Sequence, residues 1–310
     1  MKRLALTQAR IINPGGSPVY LDEGIIVIKG DTIESVGQQL PAGVDIDETI
    51  DLRGKTVLPG MINLHTHLYS ALALGMPPPP QTPTNFVEIL ERIWWRLDLA
   101  LDEESTRASF ESGLLACLRA GVTTVFDHHS SQNWIAGSLA ALIETAGQLG
   151  VNLSPAFEVT DRNGPERFRA GLEENLATID ELGVDPTTHP MLGLHASFTL
   201  SDESLSVVEA ALRELPGVGV HIHVSEDQAD EEDARGQGYT SVVDRLDRFN
   251  LLTENSLIAH GLHITPEDAK RLADLGVAVA HNPSSNANNR VGSLPVAIAD
   301  RLPVVRVRAG

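Results

Sequence analysis

Apolar and polar positions in the first 56 residues alternate in short runs that are typical of strands. These runs, at residues 4–12, 24–36 and 49–58, are rich in isoleucine and valine. The residues Lys-Gly-Asp at 29–31 interrupt the second run and predict a hairpin turn. We therefore expect residues 1–56 to form a small all-β domain.

From residue 57 onward, short apolar runs alternate with longer stretches of helical periodicity, which indicates a parallel sheet with crossover helices. The helix after Thr265 has a clear start, with Pro266 at its first position, Asp268 in the capping-box place and Gly276 beyond its end. Eight strands are predicted, at residues 57–67, 121–127, 151–159, 191–194, 218–226, 256–260, 277–280 and 303–307. This pattern predicts an α/β fold in which residues 57–310 form a (β/α)8 TIM barrel.

Two polar stretches lie between these elements. Four consecutive prolines at 77–80 exclude a helix and predict an extended loop after the first strand, either a substrate lid or a plain connector. The acidic run at 227–233 favours a solvated helix start over a second cation site.

Charge and composition limit the partners of the chain. A formal charge of −19 and a pI near 4.9 argue against nucleic acid and anionic membranes, which bind clustered lysine and arginine. The single cysteine and the lack of a run of roughly 20 apolar residues predict a cytoplasmic protein. We expect its partner to be a small-molecule substrate. A homo-oligomer is left open.

The histidines follow the strands. Of 11 histidines, all except His189 lie at or near the carboxyl end of a predicted strand. In a barrel those ends converge on the face that carries the active site. One shared site is therefore favoured over a set of unrelated core histidines.

A metal site is the first chemistry that this arrangement predicts. His65 and His67 alternate along a strand, so they share one face at a spacing of about 7 Å. One histidine of strand five, where His221 and His223 also share a face, supplies a third ligand for one Zn²⁺ or Fe²⁺ ion. Glu226 follows where the strand ends, and it can act as general acid and base on metal-activated water.

Further candidates lie on neighbouring strands. His260 is a candidate to polarise the attacked carbon, and His195 is a candidate to bind substrate. Arg162 is a candidate to hold an anionic or carbonyl group, with a solvated loop arginine as the alternative. The roles of the remaining strand-end histidines stay unassigned, namely those of His128, His129, His221 and His281.

Four segments carry a family resemblance: LPGMINLHTH at 58–67, HVSE at 223–226, AHG at 259–261 and HNPSSN at 281–286. Together they resemble the amidohydrolase superfamily, in its ATZ/TRZ branch of aminohydrolases, chlorohydrolases and deaminases. Residues 94–98 and 126–129 further resemble the SsnA-like aminohydrolases. The resemblance implies one metal ion held by His65, His67 and His223, with Glu226 and His260 assisting the attack of water.

The same resemblance exposes a departure. The family pattern has an aspartate at the end of strand eight, which binds the metal and accepts a proton, and it has further chain that completes the N-terminal sandwich. Residues 302–310 hold no acid. This departure predicts a truncated or frameshifted chain with an incomplete barrel and a half-sandwich at 1–56.

The leading prediction is a metal-dependent hydrolase of non-peptide carbon–nitrogen bonds, most specifically a deaminase of nitrogen heterocycles or amidine-like compounds. Two alternatives stay open: a catalytically impaired remnant that binds metal without turnover, and a hydrolase of cyclic amide or carbon–halogen bonds. No lysine stands at the end of strand four, where Leu194 and His195 lie, and this disfavours a two-metal enzyme.

Overall fold

The computed structural model describes residues 1–14, 16, 19–183 and 188–300, which divide into a compact unit Met1–Gly60 and a second that begins at Met61. The first unit is a five-stranded sheet of β1 (Arg3–Ile12), β2 (Tyr20–Lys29), β3 (Thr32–Gly37), β4 (Glu48–Asp51) and β5 (Thr56–Val57). The strand β1 pairs antiparallel with β2 and parallel with β4 and β5. The predicted hairpin is confirmed, because β2 and β3 turn at Gly30, whose φ is +64°.

The second unit contains parallel strands that neighbour one another in chain order. They are β6 (Met61–Thr66), β7 (Val122–His129), β8 (Asn152–Phe157), β9 (Leu192–Ala196), β10 (Val220–Val224), β11 (Leu257–His260) and β12 (Ala278–Ala280). These correspond to the first seven predicted strands. The predicted eighth strand, at 303–307, lies outside the described residues.

Helices connect these strands, as the alternating pattern predicts. They are α1 (Phe86–Ile89), α2 (Trp95–Ala100), α3 (Glu103–Arg119), α4 (Ser138–Leu149), α5 (Pro165–Leu182), α6 (Asp202–Arg213), α7 (Gln228–Gly236), α8 (Val242–Arg248), α9 (Pro266–Leu275), α10 (Pro283–Asn289) and α11 (Val296–Ala299). The capping box of Thr265 and Asp268 and the left-handed Gly276 bound α9, which confirms that prediction. None of the helices in the described part of the chain combines the length and apolarity that crossing a membrane requires.

The parallel strands form two ladders, β6–β7–β8 and β9–β10–β11–β12, and a few contacts join β8 to β9. A single bridge pairs Val159 with Leu194. Beside it, the buried Asn175 of α5 accepts hydrogen bonds from the backbone N–H of Phe157 (2.9 Å) and of Gly193 (3.2 Å). Its amide also donates to the Phe157 carbonyl over 2.8 Å. One side chain therefore supplements the backbone hydrogen bonds that join the two ladders, from Met191 to Pro155, from Val159 to Gly193 and from His195 to Val159.

Gly193 allows this joint to close. A Cβ atom at this position would lie 2.3 Å from the backbone oxygen of Phe157, closer than any side chain tolerates. The backbones of β8 and β9 therefore approach each other only because residue 193 is glycine.

Candidate metal centre and cavity

Three histidines meet where β6 and β10 end. His65 lies in β6 and His67 follows it, while His223 lies in β10. The ring centroids of His65 and His67 are 4.8 Å apart, and those of His67 and His223 are 5.2 Å apart. One ring nitrogen of each lies within 4.8 Å of the others.

Backbone carbonyls orient two of these imidazoles. Nδ1–H of His67 donates to the carbonyl of His128 over 2.8 Å, and Nδ1–H of His223 donates to the carbonyl of His195 over 2.7 Å. A carbonyl can only accept, so Nδ1 carries the proton in both rings and Nε2 keeps its lone pair. The two Nε2 atoms lie 3.2 Å apart.

The third imidazole, that of His65, contacts another histidine through its Nδ1. Nδ1 of His65 lies 2.9 Å from Nε2 of the fully buried His221. Burial, together with the charges of neighbouring histidines, holds the pKa of His65 and of His223 well below its ordinary value. The same causes lower the pKa of His67 to about 4. All three rings are therefore neutral near pH 7, which is the form that binds a metal.

This donor set fits a divalent transition metal. Two lone pairs at 3.2 Å repel each other unless a cation or proton lies between them. Neutral imidazole is a ligand that Zn²⁺ and Fe²⁺ accept, and three protein ligands leave coordination positions open. Acceptors behind the ligand rings are the usual means of fixing a metal-binding tautomer.

Glu226 and His260 lie beside the three histidines. Oε2 of Glu226 is 3.4 Å from Nε2 of His260, whose Nδ1 lies 2.7 Å from Oδ1 of Asn286. Oε1 of Glu226 accepts a hydrogen bond from Nδ2 of Asn289 over 3.2 Å. His260 has φ +74°, which is rare for a residue with a side chain and is found mainly at sites that hold it in place.

The turn before Glu226 is held by the acidic run. Ser225 has φ +50°, and its backbone N–H donates to Asp230 over 2.8 Å. Asp230 also accepts from the N–H of Phe198 at 3.1 Å, and the Ser225 hydroxyl donates to Glu231 at 2.6 Å. Both acids are buried. The prediction of a solvated helix start is therefore wrong for these two residues, because Asp230 binds two backbone N–H groups and Glu231 binds the Ser225 hydroxyl.

A cavity of about 820 Å³, including its mouth, opens at these strand ends. One side is an apolar wall that includes Phe86, Leu90, Trp94 and Trp95. These residues come from α1, the π-turn Leu90–Trp94 and α2, a continuous helical segment. The polar side includes His67, Glu158, Arg162, His195, His223, Glu226 and His260. An apolar cavity with a few converging polar groups is the usual form of a small-molecule site.

Arg162 belongs to this cavity. Its guanidinium pairs with the buried Glu158 and stacks 4.7 Å from the ring centroid of Trp95. Asp98 approaches the same guanidinium at 3.5 Å. The alternative of a solvated loop arginine is therefore wrong, since the side chain is only 9% exposed.

The carboxylates around Arg162 differ in pKa. Burial would raise the pKa of Glu158, but the charges of His195, Arg162 and His128 outweigh it and lower that pKa far below its usual range. Burial and the charge of Glu158 raise the pKa of Asp98 to about 8. No role was predicted for either acid: Asp98 lies in the segment 94–98 that carries part of the family resemblance, but only the fold brings it and Glu158 to Arg162.

Every predicted site residue except His65, which lies beneath the opening, lines the cavity. The predicted metal ligands come together, as do Glu226 and His260, while His195 and Arg162 lie near the aromatic wall. The four unassigned histidines do not line the cavity. His221 contacts His65, His128 offers its carbonyl to His67, His129 contacts the Ser131 hydroxyl, and His281 is partly buried.

Comparison with known sequences decides the family. Residues 56–300 match the model of the amidohydrolase family. The chain belongs to this family. The predicted resemblance is confirmed, and this amidohydrolase shares the α/β fold of its TIM-barrel-type relatives.

The relatives of this amidohydrolase include deaminases. It is 30% identical to 5'-deoxyadenosine deaminase of Methanothrix thermoacetophila over 95% of its own length and 66% of that protein. It is 31% identical to 5-methylthioadenosine/S-adenosylhomocysteine deaminase of Moorella thermoacetica, over 96% of its own length and 66% of that protein. The chain thus spans just under two thirds of the length of these curated relatives.

A solved structure has the same fold. Atrazine chlorohydrolase TrzN from Arthrobacter aurescens TC1, crystallised with zinc, superposes with a TM-score of 0.82 at 22% identity. The match covers 99% of this chain and 71% of that protein. The likeness extends through both units of the chain.

Proposed function

We propose that this amidohydrolase is a metal-dependent hydrolase of non-peptide carbon–nitrogen bonds, and specifically a deaminase of nitrogen heterocycles. The observation that carries the proposal is the meeting of three neutral imidazoles with the Glu226–His260 pair in one aromatic-walled cavity. The deaminase relatives support the reaction class.

His65, His67 and His223 would hold one Zn²⁺ or Fe²⁺ ion. Such an ion supplies Lewis acidity, which lowers the pKa of water and polarises the attacked carbon. The imidazoles contribute neutral nitrogen donors whose outer Nδ1 atoms are occupied, so no proton has to leave before the ion binds.

Glu226 would carry the proton through the reaction. Its Oε2 takes a proton as water adds to the C–NH₂ carbon, and the same oxygen returns it to the leaving nitrogen. The C–N bond then breaks and ammonia leaves, so that water and the amine give a carbonyl and NH₃. His260 holds its Nε2 at 3.4 Å from this oxygen, so it would accept a hydrogen bond from the protonated carboxyl and orient it toward the attacked group.

Substrate would lie between the aromatic wall and the polar side. Trp94 and Trp95 offer flat surfaces for a planar ring, since stacking on aromatic side chains stabilises such rings. His195 offers a hydrogen-bonding nitrogen, and Arg162 supports the wall by its stacking on Trp95. We therefore infer that this side of the cavity selects a planar heterocycle.

We also propose that the parallel strands belong to a (β/α)8 barrel and that the five-stranded sheet is half of a β-sandwich. Chain-order neighbours from β6 to β12 support the barrel. The five-stranded sheet over residues 3–57 supports the second part.

The first test measures ammonia release from 5'-deoxyadenosine, S-adenosylhomocysteine and guanine, and chloride release from atrazine, with Zn²⁺ added. We expect ammonia release from at least one heterocycle. Chloride release alone would favour the carbon–halogen alternative. Bound zinc without turnover of any compound would contradict the proposal and favour a metal-binding remnant.

Glu226→Gln tests the proton carrier. The amide cannot accept the proton, so kcat should fall by about 10²–10⁴-fold while zinc content stays at the wild-type level. Glu232→Gln is the matched control, because Glu232 is an exposed carboxylate in α7. Unchanged kcat in Glu226→Gln would remove Glu226 from the mechanism.

A further inference from the structure

We propose that Asn286 and Asn289 of α10 are positioning residues for the Glu226–His260 pair. The proposal rests on the proposed function for the catalytic roles of these two partners, but its geometry does not depend on a substrate. No role was predicted for either asparagine, although Asn286 ends the HNPSSN segment at 281–286 that carries part of the family resemblance.

Asn286 fixes the proton on His260. Its Oδ1 lies 2.7 Å from Nδ1 of His260, and an amide oxygen can only accept. Nδ1 of His260 therefore carries a proton, and Nε2 is the atom directed at Glu226. In the opposite neutral tautomer, Nδ1 and the Asn286 oxygen would be two acceptors facing each other at 2.7 Å.

Asn289 holds the other side of the pair. Its Nδ2 donates to Oε1 of Glu226, while Oε2 of the same carboxylate faces His260. The two carboxylate oxygens thus have separate partners, and rotation of the carboxylate would break both contacts. This leaves Oε2 as the oxygen that meets the cavity chemistry.

One helix makes both contacts. Asn286 and Asn289 are three positions apart in α10, so their side chains lie on the same face. Their targets lie on different segments, Glu226 after β10 and His260 at the end of β11. The β10–β11 ladder, in which Val224 pairs with His260, places the two backbones side by side. The helix therefore fixes how the two side chains face each other.

The burial of Asn286 indicates that this side chain does more than fill space in the core. The side chain is 1% exposed, and among the described residues its Nδ2 has no hydrogen-bond partner. An unpaired buried amide is unfavourable, so an apolar residue would fill this space at lower cost. The contact that compensates is the one to His260.

The test observes the tautomer directly in the full chain. Long-range ¹H–¹⁵N spectra of histidine-labelled protein with Zn²⁺ added report which ring nitrogen carries a proton, and His260→Gln assigns the signal. We expect a protonated Nδ1 in wild type and in Asn286→Asp, which keeps the acceptor, and averaged tautomers in Asn286→Ala. An unprotonated Nδ1 in wild type, or no change in Asn286→Ala, would overturn the role of Asn286.

Kinetics on whichever compound the panel turns over test the second residue. Asn289→Ala should lower kcat at least about tenfold with KM within about threefold, since it affects the reacting carboxylate and not the aromatic wall. Asn289 is partly exposed, so the variant should fold, and Ser284→Ala on the exposed side of α10 is the matched control. A loss confined to KM, or an equal loss in the control, would overturn the role of Asn289. If no compound is turned over, the proposed function fails while the tautomer result still stands.

Discussion

In four histidines of the cavity, a hydrogen-bond acceptor next to Nδ1 determines which ring nitrogen carries the proton. His67 and His223 donate to carbonyls and His260 faces the Asn286 oxygen. His195 lies 2.7 Å from the Thr199 hydroxyl, which itself donates to a backbone carbonyl at 3.0 Å. In each ring Nδ1 is occupied, which leaves Nε2 for metal, substrate or proton chemistry.

Burial of Asp230 makes a prediction about stability and pH. Burial raises the pKa of Asp230 from 3.8 to about 7. An acid whose pKa is higher in the folded state stabilises the fold fully below pH 3.8, and that stabilisation is lost as pH rises through 7. The loss corresponds to up to about 4 kcal/mol in the free energy of unfolding.

Asp230→Asn should therefore flatten this part of the pH profile. Urea unfolding at pH 4, 5.5 and 7.5 measures the wild-type free energy relative to the variant. We expect the advantage of wild type to shrink as pH rises, although the variant also loses one backbone acceptor. A constant difference across the three pH values would contradict the raised pKa.

At the residue scale, the sequence predicts the metal ligands and the proton carrier better than the groups that hydrogen-bond to them. His65, His67, His223 and Glu226 could be predicted because a strand alternates sides with period two and ends at a shared face. The carbonyls of His128 and His195 and the amides of α10 could not, because they come from other segments and only packing brings them to the site.

At the scale of elements, the joint between β8 and β9 combines backbone hydrogen bonds with the buried side chain of Asn175. Asn175→Ala would leave the N–H groups of Phe157 and Gly193 and the Phe157 carbonyl without their partner. Buried unpaired groups cost about 1–3 kcal/mol each, so we expect a loss of at least about 3 kcal/mol.

Urea unfolding at pH 7.5 measures this loss. Asn152→Ala is the matched control, because Asn152 is an exposed asparagine at the start of β8. Equal destabilisation by the two substitutions would show that the joint does not depend on Asn175.

The order of elements could be predicted from the sequence because strand and helix periods differ and the start of α9 is clearly marked. The burial of α7 could not. An acidic run is typical of a solvated face, but here Asp230 and Glu231 bind the Ser225 turn, a tertiary contact with no local signal.

At the scale of the whole molecule, the chain belongs to the amidohydrolase family and spans just under two thirds of its curated deaminase relatives. The histidine centre lies entirely within the unit that begins at Met61. Metal binding at this centre can therefore be measured on the present chain.

The central claim is that His65, His67 and His223 form one metal site. Elemental analysis of the purified chain, after incubation with Zn²⁺ and removal of free ion, tests it most directly. We predict about one zinc per chain in wild type and in His189→Ala, a histidine away from the strand ends, and a loss of at least about tenfold in His67→Ala and His223→Ala. Zinc content unchanged in the ligand variants, or no zinc in wild type, would contradict the account.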